Sequence, residues 1–324
     1  MSGDEIGGRL VRDLEDCADP QVSVCIVSYN HVDWIRRCVD SVLSQRVDFS
    51  VEILISDDCS LDGTAEIVRD IAHQYPGVVR QVPRETNLGS SKNWWDVHLR
   101  ARGRFIAHLD GDDFMLPGKL AFQHQLLDSQ PAIVMSTHAA LTLGADGVLR
   151  KRIPPANPPE LGSAHDLVLL GNYIPHSSIM YRTENGMSTF AELPIIDYEF
   201  HMRQAQKGPI HYHPEALIAY REHPEGLSRS VAAVAAVNAG RLRALDVARE
   251  AGVAEPVVTR RLLNVRRGAA HVLLKAGDID GFRGGVALSA QDRKLATRMH
   301  RVENRIAQSD LATRAYRAVL SRRH

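Results

Sequence analysis

Residues 103–120 read GRFIAHLDGDDFMLPGKL. An apolar run, Arg104–Leu109, is short and rich in bulky residues, which predicts a buried strand. It ends abruptly in Asp110, Gly111, Asp112 and Asp113. Two more runs of the same kind lie upstream, Val22–Ser28 (VSVCIVS) and Val51–Ser56 (VEILIS), and Val78–Val82 reads as a further strand. Between them, Ile35, Val39, Val42 and Leu43 fall at helical spacing, as do Ile67, Val68 and Ile71. Asp62 is placed to cap the second of these helices, and Asn93–Leu99 lies on a third. Strands alternating with helices of this length predict an α/β fold, a mostly parallel sheet with helices on both faces.

In such sheets ligands bind outside the carboxyl ends of the strands. The first strand ends in Ser28-Tyr29-Asn30, the second in Asp57-Asp58 and the fourth in the Asp110–Asp113 cluster. Carboxylates gathered at one rim repel unless a positive group neutralises them. A hard divalent cation with bound phosphates, Mg²⁺ or Mn²⁺, does so with one or two carboxylates. The plain alternative is that these aspartates form turns and helix caps. Gly111 is expected to let the backbone approach a ligand. The chain has no G-x-x-x-x-G-K-[ST] loop, and no G-x-G-x-x-G follows the first strand, so P-loop and dinucleotide readings are disfavoured.

The remainder is organised around this half. The 324 residues suit one large α/β domain with an appendage, and 44% hydrophobic with 24% charged residues is a globular mix. No apolar run approaches the roughly 20 residues of a membrane span. The acidic N-terminus lacks a signal-peptide core, and Cys17, Cys25, Cys38 and Cys59 form no CxxC pair, so a reduced, cytoplasmic protein is expected. The zero net charge hides an asymmetry. Residues 231–324 carry 18 Lys+Arg against 8 Asp+Glu, and residues 1–230 carry 21 against 31. Prolines 154, 155, 158 and 159 predict a surface loop over 151–162. Beyond it, Ile174–Tyr181 and Ala216–Tyr220 read as strands and Asp197–Gln206 as a helix.

The motifs VSVCIVSYN (22–30), VEILISDDCSLDGT (51–64), NLGSSKN (87–93) and GRFIAHLDGDDFMLPGKL, followed by LPIIDYEFHMRQAQKG (193–208) and ALIAYREHPEGLSRS (216–230), resemble family 2 glycosyltransferases of the GT-A fold. The resemblance covers about residues 20–230. It implies an N-terminal extension (1–20), a GT-A domain (21–230) and a basic helical C-terminal region (231–324). It also implies that Tyr29 stacks on the donor nucleobase, that Asp58 hydrogen-bonds it with Asp57 alongside, and that Asp110 contacts the ribose. By the same resemblance Asp112 holds Mn²⁺ or Mg²⁺, Asp197 is the catalytic base, and Arg221 and His223 close over the diphosphate. Where the family often has Arg before the Asn of the third motif, this chain has Lys92. Where an acidic residue often precedes the base, it has Ile196, which leaves Glu199 as a fallback.

The expected activity is inverting transfer of a sugar from a nucleotide diphosphate, UDP favoured, to a hydroxyl of a cell-surface glycan, lipid-linked saccharide or small molecule. The alternative is an inactive sugar-nucleotide or glycan binder on the same fold. A nucleotidyltransferase is disfavoured, because SYNHVD is no phosphate loop. Trp95, His176 and Ser177 are candidates for the acceptor side. His211 and His213 could bind metal but read more simply as strand polar residues. In the tail, Leu288, Leu295 and Val302, with Met299 and Ile306, predict an arginine-studded amphipathic helix. That helix would pack on the catalytic domain, form a homodimer contact or touch a membrane as a peripheral protein; basic charge alone is poor evidence for nucleic acid.

Overall fold

The apolar runs fold as strands because each is buried on both faces, with helices supplying the cover. The computed structural model of the protein describes residues 8–144, 148–151, 157–183, 196–222, 231–290 and 292–321. Its strands in chain order are β1 (Arg9–Leu10), β2 (Val22–Ser28), β3 (Arg46–Val47), β4 (Val51–Asp57), β5 (Val79–Gln81), β6 (Phe105–Asp110), β7 (Phe114–Met115), β8 (Met135–Leu143), β9 (Leu149–Lys151), β10 (Leu161–Gly162), β11 (Met180–Arg182) and β12 (Ile210–Arg221). The helices of this half are α1 (Ile35–Leu43), α2 (Thr64–Gln74), α3 (Ser90–Leu99) and α4 (Lys119–Ser129).

The main sheet runs β10-β12-β8-β11-β6-β2-β4-β5, with β7 on β12 and β9 on β8. Strands β6, β2, β4 and β5 are parallel, as the alternating pattern predicts. Strand β11 enters antiparallel between β6 and β8, and β12 is parallel to β8. Register sets the rim. Ser28 pairs with Asp57, and Val27 with Asp110, so three strand ends stop at one level. Segment 174–181 is not one strand. Pro175 accepts hydrogen bonds at its carbonyl from the Ser178 N–H and hydroxyl, closing a 3-10 turn over His176–Ser178 before β11 begins.

The chain divides into two compact units. One holds 1–163, 173–197 and 207–224, the other 164–172, 198–206 and 225–324. The helical unit therefore takes in α5 (Ala164–Leu170) and nearly all of α6 (Asp197–Lys207), which the sequence partition assigned to the 21–230 domain. With them are α7 (Val231–Glu250), α8 (Glu255–Ala276), α9 (Ile279–Val286), α10 (Asp292–Leu295), α11 (Arg298–Ile306) and α12 (Asp310–Ser321). The expected amphipathic helix over 288–306 is thus two short ones, α10 and α11, with Leu288 ahead of both. Thr297 ends the run, its hydroxyl accepting from the His300 N–H in a capping box. Val302 and Met299 are exposed, and the inward side of α11 carries Glu303. Arg267, His271 and Tyr316 hold that buried carboxylate, and their hydrogen bonds override burial to bring it down to about 2. No helix of the described residues is long and apolar enough to cross a membrane.

Lys119, at the start of α4, is fully buried with Gln123 Oε1 at 3.0 Å, and burial lowers its ammonium to about 7. A lysine lowered from its ordinary 10.5 leaves the unfolded chain binding more protons, so stability rises with pH through the window above 7. Between pH 7 and 8.5 this contributes about 1.5 kcal/mol. Urea midpoints at the two pH values are expected to show that rise in the wild type and not in Lys119→Met. An identical rise in the variant would assign it elsewhere.

Candidate active site

The loops after β2 and β4 are tied together before any ligand is considered. Asn30 and Cys59 both adopt left-handed backbone, with φ of 56° and 60°. The Asn30 N–H donates to Ser60 Oγ at 2.8 Å, and the Leu61 N–H donates to Asn30 Oδ1 at 3.0 Å. Asp62 accepts from the Val32 and Thr64 N–H groups, but the N-cap place of α2 falls to Gly63, one residue later than expected. Such strain at two non-glycine positions persists only where surrounding bonds impose it. Tyr29, 43% exposed, stands at the end of β2 with its ring available.

Two of the expected nucleotide contacts have structural duties. Asp57 is buried and accepts from the Ser60 N–H and hydroxyl; burial raises its carboxyl against those bonds. Asp58, 2% exposed, accepts from the N–H groups of Leu88 and Gly89 at 2.8 and 2.9 Å. Asp58 thereby fixes the NLGSSKN loop against the end of β4. In that motif Asn93 donates to the Ser56 carbonyl and accepts from Arg84 Nε at 3.1 Å, while Lys92 is exposed on α3.

The aspartates after β6 have separate tasks. Asp110 accepts from His108 Nε2 at 3.2 Å and from the Ser177 hydroxyl at 3.2 Å. Burial works to raise it, but the His108 hydrogen bond and the positive sides of His108, His176 and His31 hold it below the ordinary carboxylate range. Asp113 is buried, with Ser177 Oγ at 2.6 Å and the Arg221 N–H at 2.9 Å. Burial, and then the charges of Asp112 and Asp110, push it well up. Asp112 lies between them, half-buried, and its carbonyl accepts from Arg221 Nε at 3.3 Å. Pairing of Ala219 with Phe114 carries Arg221 to this corner, where its guanidinium lies 5.1 Å from the Trp34 ring. Gly111 is required for a reason other than ligand approach. A Cβ there would stand 2.9 Å from His31 Nδ1 and 3.0 Å from the Val27 carbonyl oxygen, so the close neighbour is the protein itself.

The sequence model of glycosyl transferase family 2 matches residues 23–190, just over half of the chain and the whole of this rim. The chain belongs to glycosyl transferase family 2. It is 34% identical over 211 residues to an uncharacterized protein of Mycobacterium tuberculosis, a stretch of 64% of this chain and 61% of that one. The chain thus spans less than two thirds of that relative's length. Among solved structures, S. aureus TarS residues 1–349 in complex with UDP-GlcNAc matches with a TM-score of 0.55 at 16% identity, covering 82% of this chain and 90% of that one. The mannosyltransferase PcManGT of Pyrobaculum calidifontis, in complex with GDP-Man and Mn²⁺, matches with a TM-score of 0.55 at 15% identity, covering 94% and 89%. These two likenesses show the fold, GT-A, as the family resemblance implies.

The other family 2 positions are distributed unevenly. Asp197 is exposed and is the first residue of α6; Ile196 takes the N-cap place and makes no side-chain capping bond. Glu199 is no spare base. It is fully buried, paired with Arg203 and Arg243 at 2.9 and 2.8 Å within the helical unit. Ser177, expected on the acceptor side, is fully buried and braces Asp110 and Asp113 instead. His176 is half-buried, its ring 4.4 Å from that of His108 and 5.5 Å from that of Trp94. Trp95 is half-buried beside Trp94. His211 and His213 stack 6.3 Å apart on β12. His223 lies outside the described residues. Asp113 was read only as part of the acidic cluster, and His108 was missed, although a histidine inside an otherwise apolar strand is a usable signal.

Among the described residues no group of three or more His, Cys, Asp or Glu side chains stands ready to hold a metal. A cation held mainly by the nucleotide does not need one, because Mg²⁺ and Mn²⁺ take one or two carboxylates and draw their other ligands from phosphates and water. Asp112, half-buried between Asp110 and Asp113, fits that single-carboxylate part. Beside it, Ser28 Oγ and His31 Nδ1 are buried with no hydrogen-bond partner among the described residues, leaving polar capacity for a ligand or its water.

Proposed function

We propose that this protein transfers a sugar from a nucleoside diphosphate sugar, UDP-linked by preference, to a hydroxyl of a glycan, lipid-linked saccharide or small molecule, with inversion at the anomeric carbon. The observation that carries the reading is the corner where Asp110, Asp112, Asp113 and Arg221 meet, beside exposed Tyr29, at the carboxyl ends of β2 and β6. Tyr29 stacks on the base, with Asp57, Asp58 and Lys92 alongside. Asp110 receives the ribose hydroxyls. Asp112 holds Mn²⁺ or Mg²⁺, which offsets the charge that grows on the departing diphosphate. Arg221 and His223 add positive charge there. The acceptor oxygen forms its bond to the anomeric carbon as the bond to the phosphate oxygen breaks, and the acceptor proton passes to Asp197. His176 and Trp95 are candidates for the acceptor side.

Thermal unfolding with UDP-sugars and GDP-sugars, each with Mn²⁺ or with EDTA, tests this reading. GDP is included because PcManGT was solved with GDP-Man. A ligand at a hundred times its Kd stabilises by about 2.7 kcal/mol, a midpoint rise of about 5 °C or more in a domain of this size. The expected result is such a rise with a UDP-sugar and Mn²⁺. No shift with any nucleotide sugar would end the proposal.

A further inference from the structure

Behind Asp110 lies a chain of polar groups where an apolar core is expected. Tyr181 Oη is 2.6 Å from His98 Nδ1, His98 Nε2 is 3.1 Å from His108 Nδ1, and His108 Nε2 is 3.2 Å from Asp110 Oδ1. These residues come from β11, α3 and β6, and all three are 0–1% exposed. The Trp94 ring packs 4.1 Å from that of His98 and 6.0 Å from that of His108, shielding the chain further.

The hydrogen bonds can run from Tyr181 to Asp110. An ionised carboxylate only accepts, so His108 Nε2 carries a hydrogen. Its Nδ1 then accepts from His98 Nε2–H, and His98 Nδ1 accepts from the Tyr181 hydroxyl. Every polar atom along the line is satisfied in this arrangement, as buried polar groups require. Burial lowers His98 and raises Tyr181, keeping each in its neutral form. At the far end Ser177 holds the other oxygen of Asp110. The carboxylate is gripped from two sides, and its side chain remains 34% exposed for a ligand.

We propose that Tyr181, His98 and His108 are positioning residues, a one-way donor chain that sets the Asp110 carboxylate in the orientation that receives the ribose of the nucleotide. The proposal rests on the reading of Asp110 as the ribose contact. Tyr181 acts through two intervening imidazoles and touches no ligand, so its substitution separates positioning from contact. Tyr181→Phe keeps the ring and its packing and removes only the first donor.

The test is calorimetry with Mn²⁺ on the wild type, Tyr181→Phe, His108→Asn and Asp110→Asn, using UDP or GDP, whichever the wild type binds, and the matching 2′-deoxy and 3′-deoxy nucleotides. Nitrogen-15 spectra assign the imidazole tautomers. Both His98 and His108 are expected as Nε2–H tautomers. Tyr181→Phe and His108→Asn are expected to weaken the ribonucleotide about three- to tenfold, the scale of one hydrogen bond, and to reduce the preference for ribose over deoxyribose. An Nδ1–H tautomer at either histidine overturns the chain. So does wild-type affinity and wild-type ribose preference in Tyr181→Phe when Asp110→Asn has lost both. If wild type and Asp110→Asn are equally indifferent to the ribose hydroxyls, the ribose reading of Asp110 falls and the proposal falls with it.

Discussion

Asp112→Asn is expected to lose the metal-dependent part of nucleotide binding, a fall of at least about a hundredfold in affinity with Mn²⁺ present. Substitutions that merely support a metal ligand commonly weaken metal binding about 10–100-fold, and loss of a ligand's charge should do no less. The three aspartates of the cluster are chemically alike, but their surroundings differ. Asp110 is gripped by His108 and Ser177, and Asp113 by Ser177 and the Arg221 N–H. Asparagine at 113 can accept from Arg221 and donate to Ser177, so Asp113→Asn is expected to retain metal-dependent binding. Calorimetry of UDP with Mn²⁺ and with EDTA on the wild type and both variants decides it. Equal affinity in the two buffers for wild type, or an undiminished metal effect in Asp112→Asn, would remove Asp112 as the metal ligand.

Asp197→Asn is expected to slow transfer by about 10²–10⁴-fold, the usual loss when a general base keeps its shape but cannot take a proton. A helix cap is the competing explanation for an aspartate at this point, and asparagine caps as well as aspartate. The N-cap position belongs to Ile196, and Asp197 is the next residue and exposed. Losing one charge from the first helical turn costs about 0.3–1 kcal/mol, so folding and donor binding should be nearly unchanged. Glu199→Gln is the contrasting variant. It breaks a buried carboxylate held by Arg203 and Arg243, a change worth about 3–5 kcal/mol, and its effect should appear in the unfolding midpoint. Near-wild-type transfer by Asp197→Asn, with a working donor and acceptor, would remove Asp197 from the mechanism.

Some of the site was legible in the chain and some was not. The strand over 104–109 and its acidic end were readable because burial on both faces demands a continuous apolar run, and the turn that follows must be polar. That Asp62 stands at the start of α2 was readable, since its bond to the Thr64 N–H spans only two residues. The duty of Asp58 was not, because its partners Leu88 and Gly89 lie thirty and thirty-one residues beyond it. Ser177 looked like a residue facing an acceptor because its segment reads as a strand. The turn closed by Pro175 rotates it inward onto two carboxylates.

The sequence by itself determined the alternation of strands and helices, the carboxylates at the strand ends and the family, because these are written in local periodicity and in motifs of fixed spacing. Only the tertiary structure decided the order of strands beyond β6, where Tyr181 pairs with Ile106 and Ala219 with Phe114. Those pairings join segments 75 and 105 residues apart, and strand periodicity specifies which face is buried without naming the neighbour. From them follow the brace of Ser177 on Asp110, the approach of Arg221 to the acidic cluster, and the line from Tyr181 through His98 and His108. The same holds for buried Lys119, whose lowered ammonium reflects the surroundings that the packed sheet and helices impose on one otherwise ordinary lysine.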